Sequence, residues 1–371
     1  MKRFLTVKHF TWIERSDRQA VSGEITQVYL ELSTHCNLSC RTCVRQSIEK
    51  FRQRHFTMQM MRRLLPMLKD LHRLERIVLL GFGEALCNPH FQDILKSLRT
   101  LETRIVLVSN AFFITEEMAD FIVRLPLDEI YVSWDDDIEG IEKTIRRGSS
   151  TSRFRKNVER ISHNKAMMKS DRPMLGLEIV ATKSNYRHLV PIVRYGHAAG
   201  VEKFIVSNVF PYTDDMNDEI LYTVQENPQV LFPKMLGRVI KKFDVRVARQ
   251  TADTDRCCPF IEKGTVFITV NGDISPCPEL AYSHPAYYFG SKRMHRSFIP
   301  GNISRNHIHE IWGSKGFAEL RRCFLYFDFP DCTLCRDPDM CWHRTVDEMD
   351  CYGNLTPCGE CLWAKDIVIC P

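Results

Sequence analysis

Residues 27–43 read QVYLELSTHCNLSCRTC. The first seven are rich in β-branched and aromatic side chains and run into Thr34 and His35, so a strand over 27–33 feeds a loop. That loop carries Cys36, Cys40 and Cys43 in C-x3-C-x2-C spacing. Three thiolates on one short loop can wrap three corners of a four-iron cluster, which takes four ligands, and so leave one iron open. The alternative is a closed zinc knuckle, which wants four ligands. No convincing fourth stands nearby, since adjacency alone does not make His35 a ligand.

Outward from this loop the chain alternates strand and helix. A helix over 57–72 starts at a Thr57 cap and carries Pro66, which is expected to kink or split it. The strand 76–80 (RIVLL) ends in a Gly-rich turn, GFGE, and Asn88-Pro89 supplies a cap and first turn for a helix over 89–99. The pattern repeats as strand 104–109, helix 115–124 capped by Thr115, and strand 129–133. It continues as helix 152–169, strand 174–181, helix 185–199 interrupted by Pro191, and strand 203–207. The strands read as apolar runs, the pattern of a parallel sheet covered on both faces. Six such units are too few for a closed eight-stranded barrel. The expectation is an α/β fold, a partial (β/α)6 TIM-like barrel with its function at the C-terminal strand ends. Residues 211–250 read as a helical connection.

The chain has 371 residues and a net charge of +5. The basic residues are scattered, with no aromatic–basic array, which argues against a nucleic-acid partner. No run approaches the apolar length of a membrane span, and the start lacks a secretory pattern, so the expected location is the cytoplasm. There are 15 cysteines, and in a reducing compartment so many thiols point to metal ligation or catalysis. Eleven of them fall at or beyond Cys257. Cys87, alone, and Cys323, on a helical stretch, read as core thiols. The rest of the tail holds G-x4-C ending at Cys277 after Cys257-Cys258, then Cys332-x2-Cys335-x5-Cys341, Cys351, Cys358-x2-Cys361 and Cys370. Zinc ribbons are the alternative reading of this tail.

The cysteine loop after strand one resembles the signature of radical S-adenosylmethionine (SAM) enzymes. The resemblance implies a [4Fe-4S] cluster on Cys36, Cys40 and Cys43, with SAM chelated at the open iron and cleaved reductively to a 5′-deoxyadenosyl radical. Further motifs of that family have counterparts here. Gly81-Phe82-Gly83-Glu84-Ala85 is similar to the family's Gly-Gly-Glu-Pro, without its Pro, and Ser109-Asn110-Ala111 to its Thr-Asn-Gly. Ser133-Trp134-Asp135 is similar to its Ser-x-Asp, and Arg146 or Arg147 stands where the family pairs an Arg with the SAM carboxylate. The implied SAM contacts are Gly81, Gly83, Glu84, Ser109, Asn110, Ser133 and Arg146. Thr42 departs from the large residue usual before the third cysteine.

The tail resembles the SPASM extension of such enzymes, which carries one or two auxiliary [4Fe-4S] clusters. The ligands implied there are drawn from Cys258, Cys277, Cys332, Cys335, Cys341, Cys351, Cys358, Cys361 and Cys370, with the pairing open. The resulting division is an N-terminal extension (1–24), a radical SAM core (25–210), a helical connection (211–254) and a SPASM-type domain (255–371). Val206–Tyr212 and the terminal CGECLWAKDIVICP look similar to maturases of tungsten-dependent aldehyde oxidoreductases. The function implied is modification of a protein, peptide or cofactor substrate, fed by a low-potential electron donor such as ferredoxin or flavodoxin. A radical SAM modifier of a small ribosomal peptide and a non-catalytic iron–sulfur or zinc protein are the alternatives. No catalytic acid, base or relay residue is identified.

Overall fold

The computed structural model describes residues 23–48, 51–135, 145–146, 148, 151–224, 237, 242–252, 256–337, 340–346 and 348–371. Most of the expected N-terminal extension and much of the 211–254 connection lie outside these residues, as does Arg147.

The first strand, β1 (Gln27–Leu30), is followed by β2 (Arg76–Leu79), β3 (Arg104–Ser109), β4 (Glu129–Ser133), β5 (Met174–Ala181) and β6 (Lys203–Asn208), each parallel to the one before. The sheet is larger than the six strands expected. Part of the stretch read as a helical connection is β7 (Asp244–Val247), which pairs in parallel with β6. On the other side, β8 (Thr265–Ile268) pairs in parallel with β1, so the tail contributes directly to the core sheet. Antiparallel β9 (Asp273–Ser275) and β12 (Gly301–Asn302) complete the order β12-β9-β8-β1-β2-β3-β4-β5-β6-β7. A separate hairpin is formed by β10 (His284–Tyr288) and β11 (Ser291–His295).

Strand side chains alternate between two apolar layers, as a sheet buried on both faces requires. Val28, Leu30, Ile77, Leu79, Ile105 and Leu107 pack outward against helices. These helices are α1 (Met58–Lys69), α2 (Phe91–Leu98), α3 (Glu116–Arg124), α4 (Thr151–Met168) and α5 (Leu189–Ala198). In α2, Phe91, Ile94, Leu95 and Leu98 form the buried stripe, each worth about 1.5–3 kcal/mol of transfer free energy. Pro66 does not split α1, because it falls in the last turn, where it removes one N–H bond and the chain is about to end its helix. Pro191 lies in the first turn of α5, where its missing N–H has no helical partner to lose. Asn88 is not the cap of α2, which starts at Phe91. Its buried amide instead donates to the carbonyls of Leu32 and Phe56 and fixes the exit of β1.

The inner layer holds Tyr29, Val78, Val106, Tyr131, Ile205 and Phe267, covered by Phe324, Phe329, Cys358 and Ile369 of the tail. The last residues run along this inner face. Ile369 N–H donates to Ser207 Oγ (3.0 Å), Asn208 Nδ2 to the Ile367 carbonyl (2.8 Å) and Tyr29 Oη to the Pro371 carbonyl (3.1 Å). Among the described residues no ladder joins β7 to β8. The C-terminal segment lies between these strands, with Arg246 of β7 paired to Asp366 at 3.3 Å.

Candidate functional site

The cysteine loop leaves the C-terminal end of β1, where a parallel sheet presents its unpaired strand ends. Ser33 Oγ turns the chain by donating to the His35 carbonyl and accepting from its N–H. Within the loop, Cys43 N–H donates to the Cys40 carbonyl (3.2 Å) and Leu38 N–H to Cys36 Sγ (3.4 Å). Arg45 clamps it through the Leu38 carbonyl (2.6 Å). Burial pushes the Cys40 thiol up to about 11, with the Cys43, Asp135 and Cys36 charges adding and Arg146 opposing. Burial raises Cys36 as well. Thiols held this way stay protonated until a cationic centre stabilises the thiolate.

Glu84 ties three loops together. Its buried carboxylate accepts from Ser109 Oγ (2.8 Å), the Asn110 N–H (2.8 Å) and the Leu86 N–H (3.1 Å), while its own N–H donates to the His35 carbonyl (2.8 Å). Burial raises its pKa against the pull of these donors. Asn110 Nδ2 reaches back to Asn37 Oδ1 (3.0 Å) and lies 3.6 Å from Cys36 Sγ. The motifs after strands one, two and three thus meet in one place.

Gly83 makes the meeting possible. A Cβ there would stand 2.3 Å from the Ser33 carbonyl oxygen and 2.5 Å from that of His35, both backbone. Gly83→Ala is therefore expected to push the cysteine loop off the Glu84 loop at a cost of about 1–3 kcal/mol. Melting temperature and retained iron should both fall; an alanine variant with unchanged melting and iron would show that the approach is slack.

Arg146 pairs with buried Asp135 at 2.8 Å, and Asp135 Oδ1 accepts the Val180 N–H (2.7 Å). Arg146 also bears on Cys40, Glu84 and Glu178. Ser133, at the end of β4, is opposite Glu178 on β5. Glu178 was not picked out from the sequence, because a single acid inside an apolar strand run carries no motif. Burial pushes its carboxyl up to about 7, with Asp135 adding and Arg146 opposing. A carboxyl whose folded pKa exceeds its unfolded value loses stability as pH rises from the unfolded to the folded pKa, and stays penalised above it. Glu178→Gln is thus expected to melt higher than the parent at about pH 8 and to lose that advantage at about pH 5. A difference that ignores pH would count against this.

Cys87, expected to be a core thiol, is beside this site instead. Burial, Glu84 and Cys36 push it up to about 12.

The tail thiols fall into two groups of four. Cys258, Cys277, Cys358 and Cys361 surround one another: Cys277 feels Cys258, Cys358 and Cys361, and Cys358 feels Cys361 and Cys258. Burial raises all four, Cys361 to about 11. Cys351 feels Cys341 and Cys335, and Cys332 feels Cys351, which gathers Cys332, Cys335, Cys341 and Cys351. Cys370 joins neither group. It lies on the inner sheet face by Tyr29, Glu178, Lys263 and Arg76, because the C-terminal segment runs into the gap beside β7. Cys257 is next to Cys258, and Cys323 packs on the inner apolar layer from helix α6 (Lys315–Tyr326).

A single tetrahedral zinc holds its sulfurs about 3.8 Å apart, given Zn–S near ~2.3 Å. Among the described residues no three cysteine thiols close to within 4.8 Å, the span reached by one other donor set. The three-thiol loop beside a buried carboxylate and an arginine suits a cluster with a fourth, open ligand position.

Comparison with known proteins agrees with this arrangement. Residues 30–177 match the Radical SAM superfamily, and residues 257–342 match SPASM, an iron–sulfur cluster-binding domain. The tungsten-containing aldehyde ferredoxin oxidoreductase cofactor-modifying protein of Pyrococcus furiosus is 25% identical over 345 residues, covering 93% of this chain and 96% of that one. In fold, the chain resembles Streptococcus suis SuiB bound to S-adenosylmethionine, with TM-score 0.65 at 14% identity over 93% of this chain and 80% of that one. It also resembles anSMEcpe with bound AdoMet, with TM-score 0.56 at 16% identity over 87% and 89%. Among the described residues no helix is long and apolar enough to cross a membrane. The radical SAM domain implies a [4Fe-4S] cluster with SAM, and the SPASM domain implies auxiliary iron–sulfur clusters. The chain therefore carries a radical SAM domain followed by a C-terminal SPASM domain.

Proposed function

We propose that this chain is a maturase that modifies a tungsten-dependent oxidoreductase or its cofactor. Bound at Cys36, Cys40 and Cys43, the cluster and SAM together supply a 5′-deoxyadenosyl radical for hydrogen abstraction. The protein's own residues bind and orient. Glu84, held by Ser109 and Asn110, offers a fixed carboxylate to the SAM amino group, and Gly83 lets backbone approach it. Arg146 offers a guanidinium suited to a carboxylate, and Ser133 a hydroxyl at the neighbouring strand end. Cys258, Cys277, Cys358 and Cys361 hold one auxiliary cluster, and Cys332, Cys335, Cys341 and Cys351 a second. A core over 25–210 and a SPASM-type unit over 255–371 divide these roles, with ferredoxin or flavodoxin as electron donor in the cytoplasm.

The observation that carries this reading is the convergence of three strand-end motifs on Glu84 beside the cysteine loop. Kinship across nearly the whole length of the cofactor-modifying protein supports the substrate class. The test is anaerobic reconstitution with iron, sulfide, SAM and dithionite. Release of 5′-deoxyadenosine, accelerated by a tungsten oxidoreductase in its unmodified form, is expected. Cluster loading without any SAM cleavage would defeat the proposal, and acceleration by a short peptide alone would redirect its substrate.

A further inference from the structure

Two residues past Cys277, buried Glu279 meets His284 and His295. The histidines are cross-strand partners at the open end of the β10–β11 hairpin, their rings stacked 4.9 Å apart. Glu279 comes in on the short 3-10 turn that precedes the hairpin. His284 Nε2 stands 3.5 Å and His295 Nδ1 3.7 Å from Glu279 Oε2, and all three donor atoms lie within 4.8 Å of one another. None of the three makes a hydrogen bond.

The outward atoms of the same side chains are all held. His284 Nδ1 lies 3.1 Å from the Pro285 carbonyl, and since a carbonyl only accepts, that nitrogen carries the proton and Nε2 keeps its lone pair. His295 Nε2 is bonded to the Tyr288 hydroxyl, which turns Nδ1 inward. Glu279 Oε1 accepts from Tyr212 Oη at 2.9 Å, leaving Oε2 for the interior. Buried polar atoms without partners are costly, so three of them aimed at one point need a common partner. Oriented ligands with their far sides fixed by a second layer of hydrogen bonds are the usual build of a metal site.

We propose that Glu279 Oε2, His284 Nε2 and His295 Nδ1 form a mononuclear site for a divalent transition metal such as Zn(II) or Fe(II), separate from every iron–sulfur cluster. Donor separations of 3.5 and 3.7 Å approach the ~3.3 Å of a tetrahedral ion with ligands at ~2.0–2.1 Å. Two histidines and one carboxylate leave at least one position open, so the metal takes an oxygen, nitrogen or sulfur donor from water or from a substrate. Tyr212, which holds Glu279, packs in one apolar cluster with Val44, next to Cys43, and with Leu362, next to Cys361, so the site lies between the cysteine loop and the first tail group.

The test needs no SAM chemistry. Full-length, cluster-loaded protein is incubated anaerobically with Zn(II), desalted and analysed for zinc, iron and sulfide, beside Glu279→Gln, His284→Gln and His295→Gln. The parent should retain about one zinc per chain more than each variant, at equal iron and sulfide. Should a variant lose its clusters, zinc-edge X-ray absorption of the parent alone decides, with nitrogen and oxygen scatterers at ~2.0–2.1 Å and no sulfur at ~2.3 Å expected. Sulfur-dominated scattering, equal zinc in parent and variants, or no zinc uptake would each overturn the site.

Discussion

Cys40→Ala is expected to abolish 5′-deoxyadenosine release, by more than about a thousandfold or ~4 kcal/mol of barrier, while the tail keeps its iron. Cys40 stands between Cys36 and Cys43 in sequence and faces Arg146 and Asp135 in space. Removing it leaves two thiols for a cluster that takes at least three from the protein, so the cluster is lost rather than detuned. The tail groups do not share a ligand with this loop. Iron should therefore fall by roughly four of about twelve atoms per chain. Retained cleavage would mean that the open position lies elsewhere, and loss of all iron would mean that the loop is needed for the fold.

Cys361→Ala is expected to separate cleavage from product formation. Its thiol is enclosed with Cys258, Cys277 and Cys358, and its neighbour Leu362 packs with Tyr212 and Tyr288 next to the Glu279 cluster. The variant should lose roughly four irons per chain, and modified product should drop more than about a hundredfold, near ~3 kcal/mol. SAM cleavage without substrate should persist within a factor of about three, because Glu84 is held by Ser109 and Asn110, and Arg146 by Asp135, all within the core. If cleavage falls as far as product does, the division of roles between core and tail is wrong.

Much of the core was legible because its signals are local. A β1 run that stops at Thr34, a fixed cysteine spacing, GFGE after β2 and Ser109-Asn110 after β3 each depend on a few adjacent residues. A parallel sheet then places all of them at the same edge. Strand β7 was missed because its four residues, DVRV, form no long apolar run, and their polar–apolar alternation is too short to stand out amid charged neighbours. Cys87 was misjudged because the sequence cannot show that the turn after Glu84 folds back onto the cysteine loop.

By itself, then, the sequence determined the strand–helix alternation, the three-thiol loop and the presence of a second, cysteine-rich unit, all properties of short stretches. Which tail thiols stand together, that Cys370 stands apart, and that Glu279, His284 and His295 converge are visible only in the folded chain. Such groupings depend on where distant segments pack: Cys258 and Cys358 share one apolar layer with Phe324, Phe329 and Ile369 on the inner sheet face. Long-range burial of that kind leaves no periodicity in the chain to read.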